Sequence, residues 1–171
     1  MIMIITPDET FRKAMVLHFQ EKEYELSIPE RRQDVPSLVE KHAPDVIVLD
    51  MSIADPNGPT VLKDLRGTGY TGKIVVISGP SNRPLTVDIH QQKVDQVMRK
   101  SPTDPIPSLM DQLESIIRVM FREEISKKAY DHYNKRLGQH GKDWEDWFKA
   151  KKEILKNPTD GRAPSNGPQQ P

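Results

Sequence analysis

Short apolar runs alternate with helical stripes along the first 120 residues. The runs occupy 2–6, 24–28, 46–49, 73–77 and 94–98. Three of them are almost wholly apolar, the pattern of parallel strands covered on both faces. Between the runs, the spacing predicts helices. Phe11, Met15, Leu17 and Phe19 mark one over 8–21. Val35, Leu38 and Val39 mark a second over 35–42, and Val61, Leu62 and Leu65 a third over 58–67. A poorly patterned segment over 83–92 is expected to be a fourth. Leu109, Leu113, Ile116, Ile117 and Met120 form the clearest stripe, at three- and four-residue spacing. Strand and helix alternate five times. That order predicts an α/β fold: a five-stranded, parallel, doubly wound sheet with helices on both faces.

The pattern then changes. Residues 122–137 read as a polar helix, with Ile125, Ala129 and Tyr133 spaced by four. Gly138-Gln139-His140-Gly141 breaks it, since glycine suits helix ends. Asp143 can cap a second helix, with Glu145 and Asp146 in its first turn, running to about residue 156. Trp144, Trp147, Phe148, Lys151, Ile154 and Leu155 fall on one stripe, the lysine through its aliphatic stem. Two amphipathic helices and a short glycine turn predict an αα-hairpin. The last segment, NPTDGRAPSNGPQQP, is polar and rich in Pro and Gly, and disorder is expected there. The expected organisation is an α/β domain over 1–119, a hairpin over 120–156 and a tail over 157–171.

Candidate chemistry follows from the strand ends. The run 46–49 closes on Asp50, and Gly58 follows where the third helix opens. Open α/β sheets bind ligands at the carboxyl ends of their strands. Ser78 ends the fourth run, and Arg99 or Lys100 ends the fifth. A carboxylate can attack a phosphoryl group, and a hydroxyl and a cation can then hold the phosphoryl oxygens. Each residue type alone is weak evidence, because strand ends are commonly polar.

Composition narrows the alternatives. Lysine plus arginine and aspartate plus glutamate each number 25, so no global charge draws the chain to nucleic acid. The basic residues of the hairpin are interleaved with acids, unlike a DNA-binding face. Cysteine is absent, which excludes disulfides and thiolate chemistry and fits a reducing compartment. The five histidines show no ligand spacing with acids along the chain, an argument against zinc. The run at 2–6 lacks the flanks of a signal peptide, and no stretch is long enough to span a membrane.

Residues 1–119 resemble a bacterial response-regulator receiver domain, on element order and on Asp50, Gly58, Ser78 and Lys100 at the expected places. The resemblance implies a flavodoxin-like sheet of strand order 2-1-3-4-5. It implies Asp50 as phosphoacceptor, Ser78 and Lys100 as phosphoryl-binding groups, and a cytoplasmic signalling role opposite a histidine kinase or a downstream regulatory protein. It also implies Mg²⁺, held by Asp50 and an acidic pair after the first strand. Here Thr6 and Pro7 stand at the pair's positions, and Pro7 offers no side-chain ligand. Asp8 is at best a partial metal ligand; Asp8 and Glu9 also suit the first turn of a helix. The aromatic that usually precedes the lysine is missing from Gln96-Val97-Met98, and Ala54 and Asn57 depart from the family's loop.

The segment 122–156 resembles a small bacterial helical domain family that brings no activity with it. The resemblance rests on Ala129-Tyr130, Tyr133, Gly138, Gly141, Asp143, Asp146-Trp147, Ala150 and Glu153-Ile154. Its aromatics read first as a hairpin core. The sharper reading makes Trp144, Trp147 and Tyr133 a docking surface. Three functions stay open: an atypical, pseudo-receiver-like interaction module that does not depend on phosphate, a phosphorylation switch at Asp50, and a flavodoxin-like small-ligand-binding domain. A homodimer is compatible with each.

Overall fold

A computed structural model describes residues 1–53, 58–79, 92–136 and 141–156. Five parallel strands form one sheet: β1 (Ile2–Ile5), β2 (Leu26–Ser27), β3 (Val46–Asp50), β4 (Lys73–Ser78) and β5 (Gln96–Arg99). Their order is β2-β1-β3-β4-β5, every pairing parallel, as the sequence pattern and the resemblance predict. The helices are α1 (Glu9–Glu21), α2 (Val35–His42), α3 (Gly58–Gly67), α4 (Ile106–Met120), α5 (Arg122–Lys135) and α6 (Asp143–Lys156). The expected helix over 83–92 and the tail over 157–171 lie outside the described residues, apart from residue 92.

Alternation along the strands divides the core in two. Ile2, Ile4, Val46, Val48, Val75 and Ile77 face one side, packed under Phe11, Met15 and Phe19 of α1 and Leu109, Leu113 and Ile117 of α4. Met3, Ile5, Ile47, Leu49, Ile74 and Val76 face the other, under α2 and α3. A parallel sheet must be covered on both faces, which is why β1 and β3 at its centre carry almost no polar residue. Asp50 is the exception, at the carboxyl end of the central strand.

Several boundaries differ from the sequence reading. The expected strand 24–28 shortens to two ladder residues, because the Tyr24 N–H bonds Phe19 O at 2.9 Å and closes the turn after α1. The fifth strand starts two residues later than its apolar run. Leu17, expected in the α1 stripe, is 61% exposed; Phe11, Met15 and Phe19 alone carry the buried face.

The hairpin continues the first core layer. Phe121, Ile125 and Ala150 are buried in it, with Ala129, Trp147 and Ile154 packed against them. The ammonium of Lys73 donates to Met120 O where α4 ends, lies 4.2 Å from the Phe121 ring centroid and pairs with Glu124 at 3.0 Å. Arg136 Nε donates to both Asp146 carboxylate oxygens at 3.1 and 2.9 Å, joining α5 to α6. The expectation of an aromatic hairpin core is corrected in part. Trp144 is 76% exposed, and Phe148 and Tyr130 are exposed too. Ala150 and Asp146, the latter paired with Arg136 of α5, are the buried residues of α6 among those described.

Candidate functional site at the carboxyl edge of the sheet

The central strand brings Asp50 into an environment with no solvent exposure. Its register partner is Ile77, and Met51 N donates to Ile77 O at 2.8 Å, which fixes the strand end against β4. Gly58 opens α3 directly above: a Cβ there would stand 2.7 Å from Met51 Sδ and 2.9 Å from Met51 Cα. The glycine lets the helix start close over the strand end.

Both carboxylate oxygens of Asp50 are occupied. Oδ1 accepts from Ser52 N at 2.9 Å and from Ser52 Oγ at 2.7 Å. Oδ2 accepts from Thr6 Oγ1 at 3.0 Å and from Lys100 Nζ at 3.3 Å. A buried carboxylate without such partners would be strongly disfavoured. Thr6 reaches it because β1 and β3 are neighbours and Ile5 pairs with Leu49. The Ser52 bonds are local, of the kind aspartate makes two residues on in a turn.

Lys100 follows β5, with its N–H bonded to Ser78 O at 2.8 Å. This decides between the two candidates: Arg99 pairs with Ser78 in the ladder and is exposed, whereas Lys100 turns to Asp50. The Lys100 ammonium also lies 3.3 Å from Asp8 Oδ2 and 4.4 Å from the Phe11 ring centroid. Asp8 is the N-cap of α1, its Oδ1 accepting from Phe11 N at 2.9 Å. That bond first, and Lys100 with it, holds the Asp8 carboxyl below its usual range against the opposing push of burial. Asp8 therefore gives one oxygen to the start of α1 and the other to Lys100. Pro7 is exposed and contributes no side-chain ligand atom.

Ser78 ends β4, half-buried, and its hydroxyl donates to Gly79 O at 3.5 Å, the outer limit of a hydrogen bond. Ala54 and Asn57 lie outside the described residues. Two clefts flank the strand ends. One of about 350 Å³ is lined by Asp8, Phe11, Lys100, Ser101 and Ile106. The other, of about 590 Å³, is lined by Thr6, Pro7, Arg12, Arg31 and Ile53. Asp50 is among the described lining residues of neither.

Thr6 and Ser52 are partners of Asp50 that the sequence pattern does not reveal. Thr6 stands in the sequence only as the place of a missing acid. Ser52 carried one weak signal, a hydroxyl two residues after a strand-end aspartate.

The family model for the response regulator receiver domain matches residues 2–111. The chain belongs to this family. Its receiver segment is similar to the "Probable C4-dicarboxylate response regulator DctR" of Priestia megaterium, 23% identical over 96 residues, covering 55% of this chain and 42% of that relative. The chain thus spans less than half the length of that curated relative. The receiver fold is shared with the REC domain of AraT from Geobacillus stearothermophilus, at TM-score 0.56 and 21% identity, over 71% of this chain and 95% of that one. It is shared too with the BeF3-activated receiver domain of Klebsiella pneumoniae RstA, at TM-score 0.55 and 19% identity, over 68% and 97%. Among the described residues no helix is long and apolar enough to cross a membrane.

Of the site residues expected from sequence, the receiver brings Asp50, Lys100 and Asp8 together. Ser78 borders them. Trp144, Trp147 and Tyr133 lie apart, on the hairpin.

Proposed function

We propose that this receiver is a pseudo-receiver: a protein-interaction module of a two-component signalling pathway that works without phosphoryl transfer at Asp50. The observation that carries this reading is the closure of Asp50, with Thr6, Ser52 and Lys100 on its two oxygens. A phosphoacceptor needs one oxygen free to attack and a divalent cation beside it. Here a neutral hydroxyl stands at one position of the acidic pair and a proline at the other. Magnesium is held through one or two carboxylates, with waters completing a near-octahedral shell, and here Asp8 is already engaged, one oxygen capping α1 and the other paired with Lys100. In this reading Asp50 and Lys100 form a structural ion pair. The recruiting surface comprises β5, α4 and the hairpin, and the partner is a histidine kinase or a downstream regulatory protein, with neither nucleic acid nor membrane engaged.

One observation favours a second reading. Lys100 Nζ lies 3.3 Å from both Asp50 and Asp8, so a cation and two acids already converge. In that reading Asp50 is the acceptor, Ser78 and Lys100 hold the phosphoryl group, and Asp50 with Asp8 binds Mg²⁺. Calorimetric titration with Mg²⁺ separates the two. The pseudo-receiver gives no saturable binding that depends on Asp50. A binding isotherm abolished by Asp50→Ala supports the switch instead.

A further inference from the structure

We infer that His18, Asp111 and Glu114 form a binding site for a divalent transition-metal ion such as Zn²⁺, at the α1–α4 contact and independent of Asp50. One donor atom from each residue lies within 4.8 Å of the other two. His18 Nε2 and Glu114 Oε2 are 3.3 Å apart. Two ligands of a tetrahedral zinc, each about 2.0–2.1 Å from the ion, stand about 3.3–3.4 Å from one another. Asp111 and Glu114 are three apart on α4, so they share a face, and His18 meets them from α1. An imidazole with two carboxylates is a donor set that zinc accepts, leaving a fourth position for water.

One feature marks this as a place built around a cation: Lys22, one turn after His18, whose ammonium contacts the same Glu114 Oε2. Glu114 is buried, so some cation must neutralise it. Lys22 is 40% exposed at its side chain and can swing into solvent. It therefore acts as a built-in competitor for the metal. Tyr24 is 6% exposed, and burial first, then the charge of Glu114, pushes its phenol up. Lys151 of α6 also lies in electrostatic range of Glu114. Its positive charge lowers the affinity of the site and couples the site to the hairpin.

Sequence spacing concealed this set because its halves lie 96 residues apart. The test is calorimetric titration of the whole chain with ZnCl₂ in chelator-stripped buffer containing excess Mg²⁺. One saturable site per chain is expected. His18→Ala and the exposed Asp111→Asn should each weaken it by about tenfold or more, the scale on which metal sites respond to changes in and around their ligands. Lys22→Met should tighten it, because the competing ammonium is gone. Absence of saturable binding overturns the inference. So does binding that survives both ligand changes, or that is lost equally in His132→Ala, a histidine paired with Glu153 on the hairpin.

Discussion

The Thr6 hydroxyl donates to Oδ2 of Asp50 at 3.0 Å, across the adjacent ends of β1 and β3. A hydroxyl thus serves the position at which the family's metal-binding acids approach the phosphoacceptor. Replacing both odd residues, Thr6→Asp with Pro7→Asp, is expected to reverse the arrangement. Carboxylates beside buried Asp50 repel it, so the variant should be less stable than the parent without metal. Adding Mg²⁺ should raise its melting temperature and leave that of the parent unchanged. Thermal scans with and without Mg²⁺ check both halves.

Lys100 and Asp50 should behave as a buried pair. Lys100→Met leaves a fully buried carboxylate short of its cation, and a cost of about 3 kcal/mol is expected in urea unfolding. Combining it with Asp50→Asn should recover much of that loss, because an amide needs no counter-charge. Additive losses in the double variant would mean that the 3.3 Å approach contributes nothing.

The two tryptophans divide the hairpin's roles. Trp147 packs against the buried core, whereas Trp144 is 76% exposed. Trp147→Ala should destabilise by about 2 kcal/mol, less than a wholly buried ring would. Trp144→Ala should change stability by less than about 0.5 kcal/mol. If Trp144 belongs to the recruiting surface, its loss should weaken partner binding while the melting curve stays in place.

Acid should loosen the hairpin. Hydrogen bonds from Arg136 hold the Asp146 carboxyl below its ordinary range, against the upward push of burial. A depressed folded-state value means that the pair stabilises above the unfolded-state pKa, about 3.9. That stabilisation fades as pH falls through the lower folded value. Both tryptophans of the chain lie on α6, so their fluorescence should hold steady down to about pH 4 and change below it. Asp146→Asn should remove that part of the change.

The sheet was legible because its signal is local. Runs such as Val46-Ile47-Val48-Leu49, short and bounded by turn signals, fit strands covered on both faces, and Asp50 at the end of one falls at the carboxyl edge of the sheet. Gly58 and the three stripe residues of α3 were equally plain. The partners of Asp50 were not. Thr6 meets it through strand pairing 44 residues away, and nothing in its neighbours announces that bond. The choice between Arg99 and Lys100 turned on where the β5 ladder ends, and terminal residues are the least certain part of any element read from pattern. The hairpin misled differently. Its apolar stripe suggests rings inside, yet Ala150 is a buried residue of that stripe's helix, and Trp144 and Phe148 stay outside.

Whether Asp50 accepts a phosphoryl group separates a pseudo-receiver from a working switch. The measurement is the intact mass of the protein after incubation with acetyl phosphate and Mg²⁺, beside Asp50→Ala and a receiver that labels under the same conditions. Closure of both Asp50 oxygens predicts no added phosphoryl mass while the control is labelled. A phosphoryl gain in the parent, absent from Asp50→Ala, would contradict it and make Asp50 a working switch.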